Sequence, residues 1–154
     1  MWLFFNLNSL KYLIPCGGDD IDTVKGDLVL GFSKGQEFFS PLGQEKIETP
    51  NEGEIIYYDN KTLNVMCRKW NWRNSRFTMI TEKSRRIIIN LDGMKETSKE
   101  YIIKARDEMG ELITNFCKGK IEKDYLDIKK KRNYYHLLIN KQINSLNLTL
   151  LTLI

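Results

Sequence analysis

The sequence predicts an α+β domain in which a long amphipathic helix follows a set of strands. Between residues 26 and 91, short apolar or β-branched segments alternate with turn residues, as they do in a β-sheet. Between residues 97 and 119, apolar residues recur at helical spacing. The 154 residues, of which 42% are apolar and 29% charged, are enough for one globular domain with its own core.

Two stretches of the first twenty residues precede the strands. Residues 1–15 are apolar with little periodicity and end at Pro15. The run Gly17-Gly18-Asp19-Asp20 predicts a loop, because Gly and Asp favour turns. Paired aspartates can also bind Mg²⁺. The turn is the preferred interpretation here, and no metal site is expected.

Five segments are predicted strands. Each is rich in apolar, β-branched or aromatic residues and is bounded by residues that favour turns. They are 27–32, 36–39, 53–59, 62–67 and 85–91. The last has the β-branched centre Ile87-Ile88-Ile89, which predicts burial on both faces of a sheet.

The helix is the most clearly predicted element. Thr97 and Glu100 have the spacing of a capping box, with Thr97 as the expected N-cap. Lys118-Gly119 is expected to end the helix, with Gly119 in the left-handed conformation. The residues predicted to face the core are Ile102, Ala105, Met109, Leu112, Ile113 and Phe116.

The composition changes after Asp127. The chain from Lys129 onwards has no acidic residue, and it begins with four consecutive cations. Residues 146–154 alternate apolar and polar for part of their length, which suits either an added strand or a tail with little structure. We therefore expect a domain over residues 1–127 and a divergent basic and apolar tail over residues 128–154. The cations are interpreted as solvated surface.

Positive charge is concentrated in residues 68–86. This segment holds seven Lys or Arg and one Glu, in a chain whose formal net charge is +4. Trp70 and Trp72 lie among the cations. Such a stretch suits a polyanion, since arginines contact phosphates and indoles stack on bases. The alternative is that the two tryptophans merely pack on one face. One short stretch leaves both interpretations open.

Several function classes are not indicated. Three widely spaced cysteines and one histidine, His136, form neither a zinc motif nor a disulfide framework. The sequence contains no phosphate-binding glycine loop and no nucleophile elbow. No apolar run reaches the length of a membrane span, and the N-terminus lacks a basic segment typical of a signal peptide. A cytoplasmic protein without a cofactor is expected.

Six motifs occur in order along the chain. They are 10–15 (Leu-Lys-Tyr-Leu-Ile-Pro), 17–20 (Gly-Gly-Asp-Asp), 53–57 (Gly-Glu-Ile-Ile-Tyr), Asp59, 67–73 (Cys-Arg-Lys-Trp-Asn-Trp-Arg) and Ile80-Thr81. Together they resemble the B3/B4 domain, the tRNA-binding and editing domain of the phenylalanyl-tRNA synthetase β subunit. The similarity is closest to free-standing bacterial and archaeal relatives, and it covers roughly residues 10–127. It implies a mixed or antiparallel B3/B4-like sheet.

The resemblance also implies an activity and a partner. In the synthetase, this domain hydrolyses tyrosine wrongly attached to the phenylalanine tRNA. The expected partner is therefore tRNA or aminoacyl-tRNA, with no DNA and no membrane partner. By analogy, Asn71 would donate a hydrogen bond to the carbonyl group or the amino acid. Arg68 and Arg73 would hold the terminal phosphates. Trp70 or Trp72 would stack on the adenine, and Thr78 and Thr81 would line the cleft.

The sequence departs from the synthetase at the reaction centre. Aligning Ser84 with the threonine before the last core strand places a glycine-rich segment of the synthetase cleft on Trp-Asn-Trp-Arg. The glutamate implicated in editing then falls on Asn90, with Asp92 two residues beyond it. Asn90 and Asp92 join Asn71 as catalytic candidates. An asparagine cannot act as a general base, so the fold carries over better than the activity.

Three functions remain open. The first is a trans-editing hydrolase of mischarged aminoacyl-tRNA, and the second is a non-catalytic module that binds tRNA or a small ligand. The third is a non-functional gene fragment, because free-standing relatives begin well before Leu10 and the tail matches nothing in the family. The missing glutamate favours binding over hydrolysis, and the unusual ends favour a fragment.

Overall fold

The computed structural model describes residues 2–69, 71–94, 96–127, 129–131 and 147–153, which belong to two compact units. The first unit comprises Met1–Gly18 and Ser84–Ile154, and the second comprises Asp19–Lys83. In chain order the elements are α1 (Trp2–Tyr12), β1 (Cys16–Asp20), a short 3₁₀ helix (Ile21–Thr23), β2 (Leu28–Phe32), β3 (Phe38–Phe39), β4 (Ile55–Asp59), β5 (Asn64–Arg68), β6 (Arg73–Asn74), β7 (Arg86–Asp92), α2 (Lys99–Cys117), β8 (Lys120–Leu126) and β9 (Asn147–Leu153). The α+β prediction is confirmed.

The first unit is built on a four-stranded sheet in the order β1-β7-β9-β8. Strand β9 pairs in parallel with β7, from Arg86↔Asn147 to Asp92↔Leu153, and in parallel with β8 along the same seven residues. The predicted burial of β7 is confirmed, since Ile87, Ile88 and Ile89 are all almost inaccessible to solvent. Of the two interpretations of the chain's last segment, the added strand is the one observed.

Helix α2 packs on this sheet along one face. Its buried residues are Ile102, Ala105, Met109 and Ile113, which belong to the predicted apolar face, and Gly110, which does not. The predicted Leu112 is half-buried. Phe116 is exposed instead, with its ring 5.7 Å from that of Phe4 in α1. Helix α1 is fixed to α2 by side chains that include Asn8, whose Nδ2 donates to the Ala105 carbonyl at 2.9 Å.

Both predicted ends of α2 are displaced by one residue. Ser98, and not Thr97, is the N-cap: its backbone is extended and its hydroxyl accepts from the Tyr101 amide at 3.2 Å. The Thr97 hydroxyl accepts from the Met94 amide, which belongs to the preceding turn. At the other end Lys118, and not Gly119, has the left-handed conformation, with φ of 55°.

The run Gly17-Gly18-Asp19-Asp20 is a strand, so the prediction of a loop was wrong. It is β1, at the edge of the first unit's sheet beside β7. A Cβ atom on Gly18 would lie 2.8 Å from the Phe5 ring and 3.2 Å from the Ile88 carbonyl oxygen. Glycine is required here for close packing between α1 and β7, and not for a turn.

The second unit is a five-stranded sheet with β2, β4, β5 and β3 in that order and β6 paired to β5. The β2–β4, β4–β5 and β5–β6 pairs are antiparallel and β3–β5 is parallel, so the sheet is mixed. Its core contains Phe39, Ile56 and Val65, against which Tyr58 packs. All four predicted strands from 27–32 to 62–67 are present; each is shorter than predicted, and the last ends one residue later, at Arg68.

Candidate nucleic-acid interface

A tight hairpin carries the centre of the basic and aromatic segment. Strand β5 ends at Arg68 and β6 begins at Arg73, and these two residues are directly paired. Residues 69–72 therefore form the connection, which we call the 69–72 loop. Trp70 lies outside the described residues, so the structure gives no position for its predicted stacking role.

The 69–72 loop projects an aromatic side chain into solvent. Lys69 and Asn71 have left-handed backbones, with φ of 50° and 55°, and the Trp72 amide donates to the Lys69 carbonyl at 3.3 Å. Asparagine tolerates this conformation better than most residues. The Trp72 side chain is 82% exposed and Lys69 is exposed beside it. Trp72 thus does not pack on the sheet, as the alternative interpretation would require.

Ion pairs fix both ends of the loop. Arg68 forms a two-pronged pair with Glu54, with Nε–Oε1 and Nη2–Oε2 distances of 2.8 and 2.7 Å. Arg73 forms a similar pair with Glu48, at 2.8 and 2.9 Å. Glu48 also accepts from Nη1 of Arg68 at 2.8 Å, which joins the two pairs. Both guanidinium groups lie over the Phe39 ring, at 5.3 and 5.1 Å from its centroid.

The two arginines differ in exposure. The Arg68 side chain is 7% exposed and that of Arg73 is 30% exposed. Hydrogen bonds from the arginines hold the pKa of Glu48 and the pKa of Glu54 below their usual values, so both carboxylates are charged at neutral pH. The arginines expected to hold phosphates are therefore paired within the protein.

Asn71 is also engaged within the second unit. The Cys67 thiol donates to its Oδ1 atom at 3.2 Å. This contact joins the loop to the buried end of β5, where Cys67 is inaccessible to solvent. The Asn71 side chain therefore helps to shape the loop, in addition to any role toward a ligand.

The two predicted threonines occupy different environments. Thr78 is buried, and its hydroxyl donates to Oδ1 of Asp19 at 2.5 Å, while the Asp20 amide donates to the Thr78 carbonyl at 2.9 Å. Burial raises the pKa of Asp19 to about 6. The hydrogen bond from Thr78 opposes this rise in pKa, and the neighbouring charge of Asp20 adds to it. Thr81 is exposed and accepts from the Lys83 amide at 3.2 Å.

Asn90 and Asp92 belong to the first unit, on one face of β7. Both are buried, and Nδ2 of Asn90 donates to Oδ1 of Asp92 at 3.2 Å. The Asp92 amide donates to the Pro15 carbonyl at 3.1 Å. Burial, and then the charge of Asp92, raise the pKa of the Cys16 thiol to about 12. The structure thus brings Asn90 and Asp92 together, and it places Asn71 in the other unit with the arginines.

The family model of the B3/4 domain matches residues 4–118, which is most of the chain and includes parts of both units. The chain belongs to the B3/4 domain family. The resemblance found in the sequence motifs is thereby confirmed. A comparison with curated proteins finds no match.

Sequence reasoning missed the carboxylates that organise this B3/4 domain's loop. Glu54 lies 14 residues before Arg68, and Glu48 lies 25 residues before Arg73. Pairs so distant in sequence leave no local signal. The sequence offered one indirect signal, the arginines on either side of residues 69–72. Arginines directly opposite each other on adjacent strands repel unless carboxylates lie nearby.

The described residues of this B3/4 domain contain no group of three or more His, Cys, Asp or Glu side chains placed to hold a metal ion. They also contain no helix with the length and apolar character that crossing a bilayer requires.

Proposed function

We propose that this B3/4 domain binds tRNA and that the 69–72 loop contacts its unpaired nucleotides. The observation that carries the proposal is the 82% exposed indole of Trp72, held in a loop whose two ends are fixed by ion pairs. Stacking of an exposed indole on one base contributes about 1–3 kcal/mol. With tRNA as its ligand, the protein would act in the cytoplasm.

Exposed cations of the same unit support the same ligand. Lys69, Arg76 and Lys83 are all exposed. Their contribution to affinity would come from release of counterions and would weaken as salt rises. Because Arg68 and Arg73 are paired with carboxylates in the structure, we expect these exposed cations to meet an approaching phosphate before the two predicted arginines do.

Trp72→Ala tests the proposal. With fluorescently labelled tRNA, we expect the variant to bind about 5–150-fold more weakly than the wild type. The matched control is Phe32→Ala in β2, which removes an aromatic side chain that is 70% exposed in the same unit. Equal effects of the two substitutions, or tRNA binding that does not weaken between about 50 and 200 mM salt, would argue against the proposed interface.

Editing hydrolysis of mischarged aminoacyl-tRNA is the second candidate. Asp19 favours it, because a carboxyl group with a pKa of about 6 can exchange protons near neutral pH, as a general base must. In this scheme Asp19 would replace the glutamate that is absent at Asn90, and Asn71 would orient the ester. Deacylation of a tyrosine-charged phenylalanine tRNA by the wild type, lost in folded Asp19→Asn, would establish it. No deacylation by the wild type would leave binding alone.

A further inference from the structure

Glu48 is bound in the way that a phosphate is usually bound by arginines. Its Oε1 accepts from Nη2 of Arg73 at 2.9 Å, and its Oε2 accepts from Nη1 of Arg73 and Nη1 of Arg68, each at 2.8 Å. A planar guanidinium fork with an additional cationic donor is equally suited to a carboxylate and to a phosphate. The Phe39 ring lies under both guanidinium groups and fixes their orientation.

Arg68 and Arg73 depend on Glu48 to different degrees. Arg68 is nearly buried and has its own two-pronged partner in Glu54. Arg73 is 30% exposed, and Glu48 is 27% exposed, so solvent and ligands can reach the Arg73–Glu48 pair. Water and salt that reach a partly exposed pair compete for both partners and reduce its net strength. A polyanion can therefore compete with Glu48 for Arg73.

The backbone would not have to move for this exchange. The Glu48 amide donates to the Phe39 carbonyl at 2.7 Å, and the Phe39 amide donates to the Glu48 carbonyl at 2.8 Å. With its backbone held, Glu48 can leave Arg73 by rotation of its own side chain. Arg73 also follows Trp72 directly, so a nucleotide stacked on Trp72 would carry its phosphate close to this guanidinium group.

We propose that Arg73 and Arg68, above Phe39, form a phosphate site that the protein's own Glu48 occupies. An RNA phosphate displaces the Glu48 carboxylate when the ligand binds, and Glu48 lowers the affinity by competing for the site. The identity of the ligand as RNA rests on the proposed function. The existence of a site for a phosphate does not, since a free phosphate compound would use the same donors.

Glu48→Gln is the decisive substitution, because it keeps the side-chain size and removes the competing charge. The matched control is Glu52→Gln, which removes the same charge from an exposed residue of the same unit. Two probes separate the ligand sources: tRNA, and pyrophosphate measured by isothermal titration calorimetry. We expect Glu48→Gln to bind both probes about 3–10-fold more tightly than Glu52→Gln does. Its tRNA affinity should fall more steeply with salt, by about one additional counterion.

The double variant Glu48→Gln/Arg73→Ala should lose the gain on both probes, and Glu48→Ala should reproduce it. If Glu48→Gln gains for pyrophosphate while no variant binds tRNA, the phosphate site stands and the proposed function fails. If tRNA binding depends on Trp72 but Glu48→Gln and Glu52→Gln bind both probes equally, the phosphate site is overturned and the proposed function stands. Near-ultraviolet circular dichroism confirms that each variant is folded.

Discussion

Thr78 donates its hydroxyl hydrogen to Asp19 across 2.5 Å, although the two residues are 59 positions apart. The bond lies in a buried environment, and it helps to hold the segment after β6 to the end of β1, together with the hydrogen bond from the Asp20 amide to the Thr78 carbonyl. The Asp19 carboxylate thus accepts a short hydrogen bond from Thr78 but is almost inaccessible to water. Desolvation outweighs the hydrogen bond and raises its pKa.

Asp19→Asn should stabilise the protein at neutral pH. The folded pKa of Asp19, about 6, lies above its unfolded value of 3.8, so the folded state holds the proton more tightly. The wild type therefore loses stability from this group as pH rises from about 4 to about 6. Urea unfolding should show the variant gaining about 2–3 kcal/mol on the wild type between about pH 4 and pH 7. Asp22→Asn, an exposed control, should show no such gain.

Glu54→Gln should destabilise the second unit strongly. It leaves the nearly buried Arg68 guanidinium without its two-pronged partner, and loss of one member of such a pair costs about 3–5 kcal/mol. The hydrogen bond from Arg68 holds the pKa of Glu54 below its usual value, so the stabilisation is present at neutral pH and is lost in acid. The difference from wild type in urea unfolding should accordingly shrink in acid. A comparable loss in Glu52→Gln would contradict the assignment.

Substitutions of Asn71 can separate the shape of the loop from the chemistry of the side chain. Asn71→Gly fits the left-handed backbone, whereas Asn71→Ala should cost about 1 kcal/mol of folding free energy from strain. If the amide acts on the ligand, both variants lose tRNA binding or deacylation. If only the left-handed backbone at Asn71 matters, Asn71→Gly retains function and Asn71→Ala loses part of it.

Ser98→Ala should weaken the start of α2. The Ser98 hydroxyl accepts from the Tyr101 amide, and its loss typically costs about 1 kcal/mol, or about 2–4 °C in Tm for a chain of this size. Thr97→Ala is the matched comparison, because Thr97 was the N-cap expected from the sequence. A larger effect at Thr97 than at Ser98 in thermal unfolding would contradict the observed cap.

The parts of the fold that the sequence predicted are those with local patterns. Strands β2, β4, β5 and β7 have apolar or β-branched runs, and α2 has one apolar face. Helix α1 escaped detection because its apolar residues surround it: Phe5 is buried while Leu3 and Leu10 are exposed. Strand β1 escaped because tertiary packing overrides the turn preference of Gly-Gly-Asp-Asp.

The candidate site was predicted less completely than the fold. The basic and aromatic composition of residues 68–76 drew attention to a segment in which Trp72 is exposed in a loop. The sequence could not show that Arg68 pairs with Glu54 and Arg73 with Glu48, because these carboxylates lie 14 and 25 residues earlier in the chain. Where folding pairs cations with carboxylates, the positive charge counted along the sequence is larger than the charge that a ligand contacts.

The place of β9 has a consequence for the order in which the protein folds. The second unit is one continuous segment, Asp19–Lys83, so its sheet can assemble from contacts that are close in sequence. In the first unit, β9 separates β7 from β8, so β7 is paired only with β1, and β8 lacks its observed neighbour, until residues 147–153 are available. We infer that the sheet around β9 forms last. Pulsed hydrogen exchange during refolding would show β4 and β5 protected before β7 and β8, and simultaneous protection would refute it.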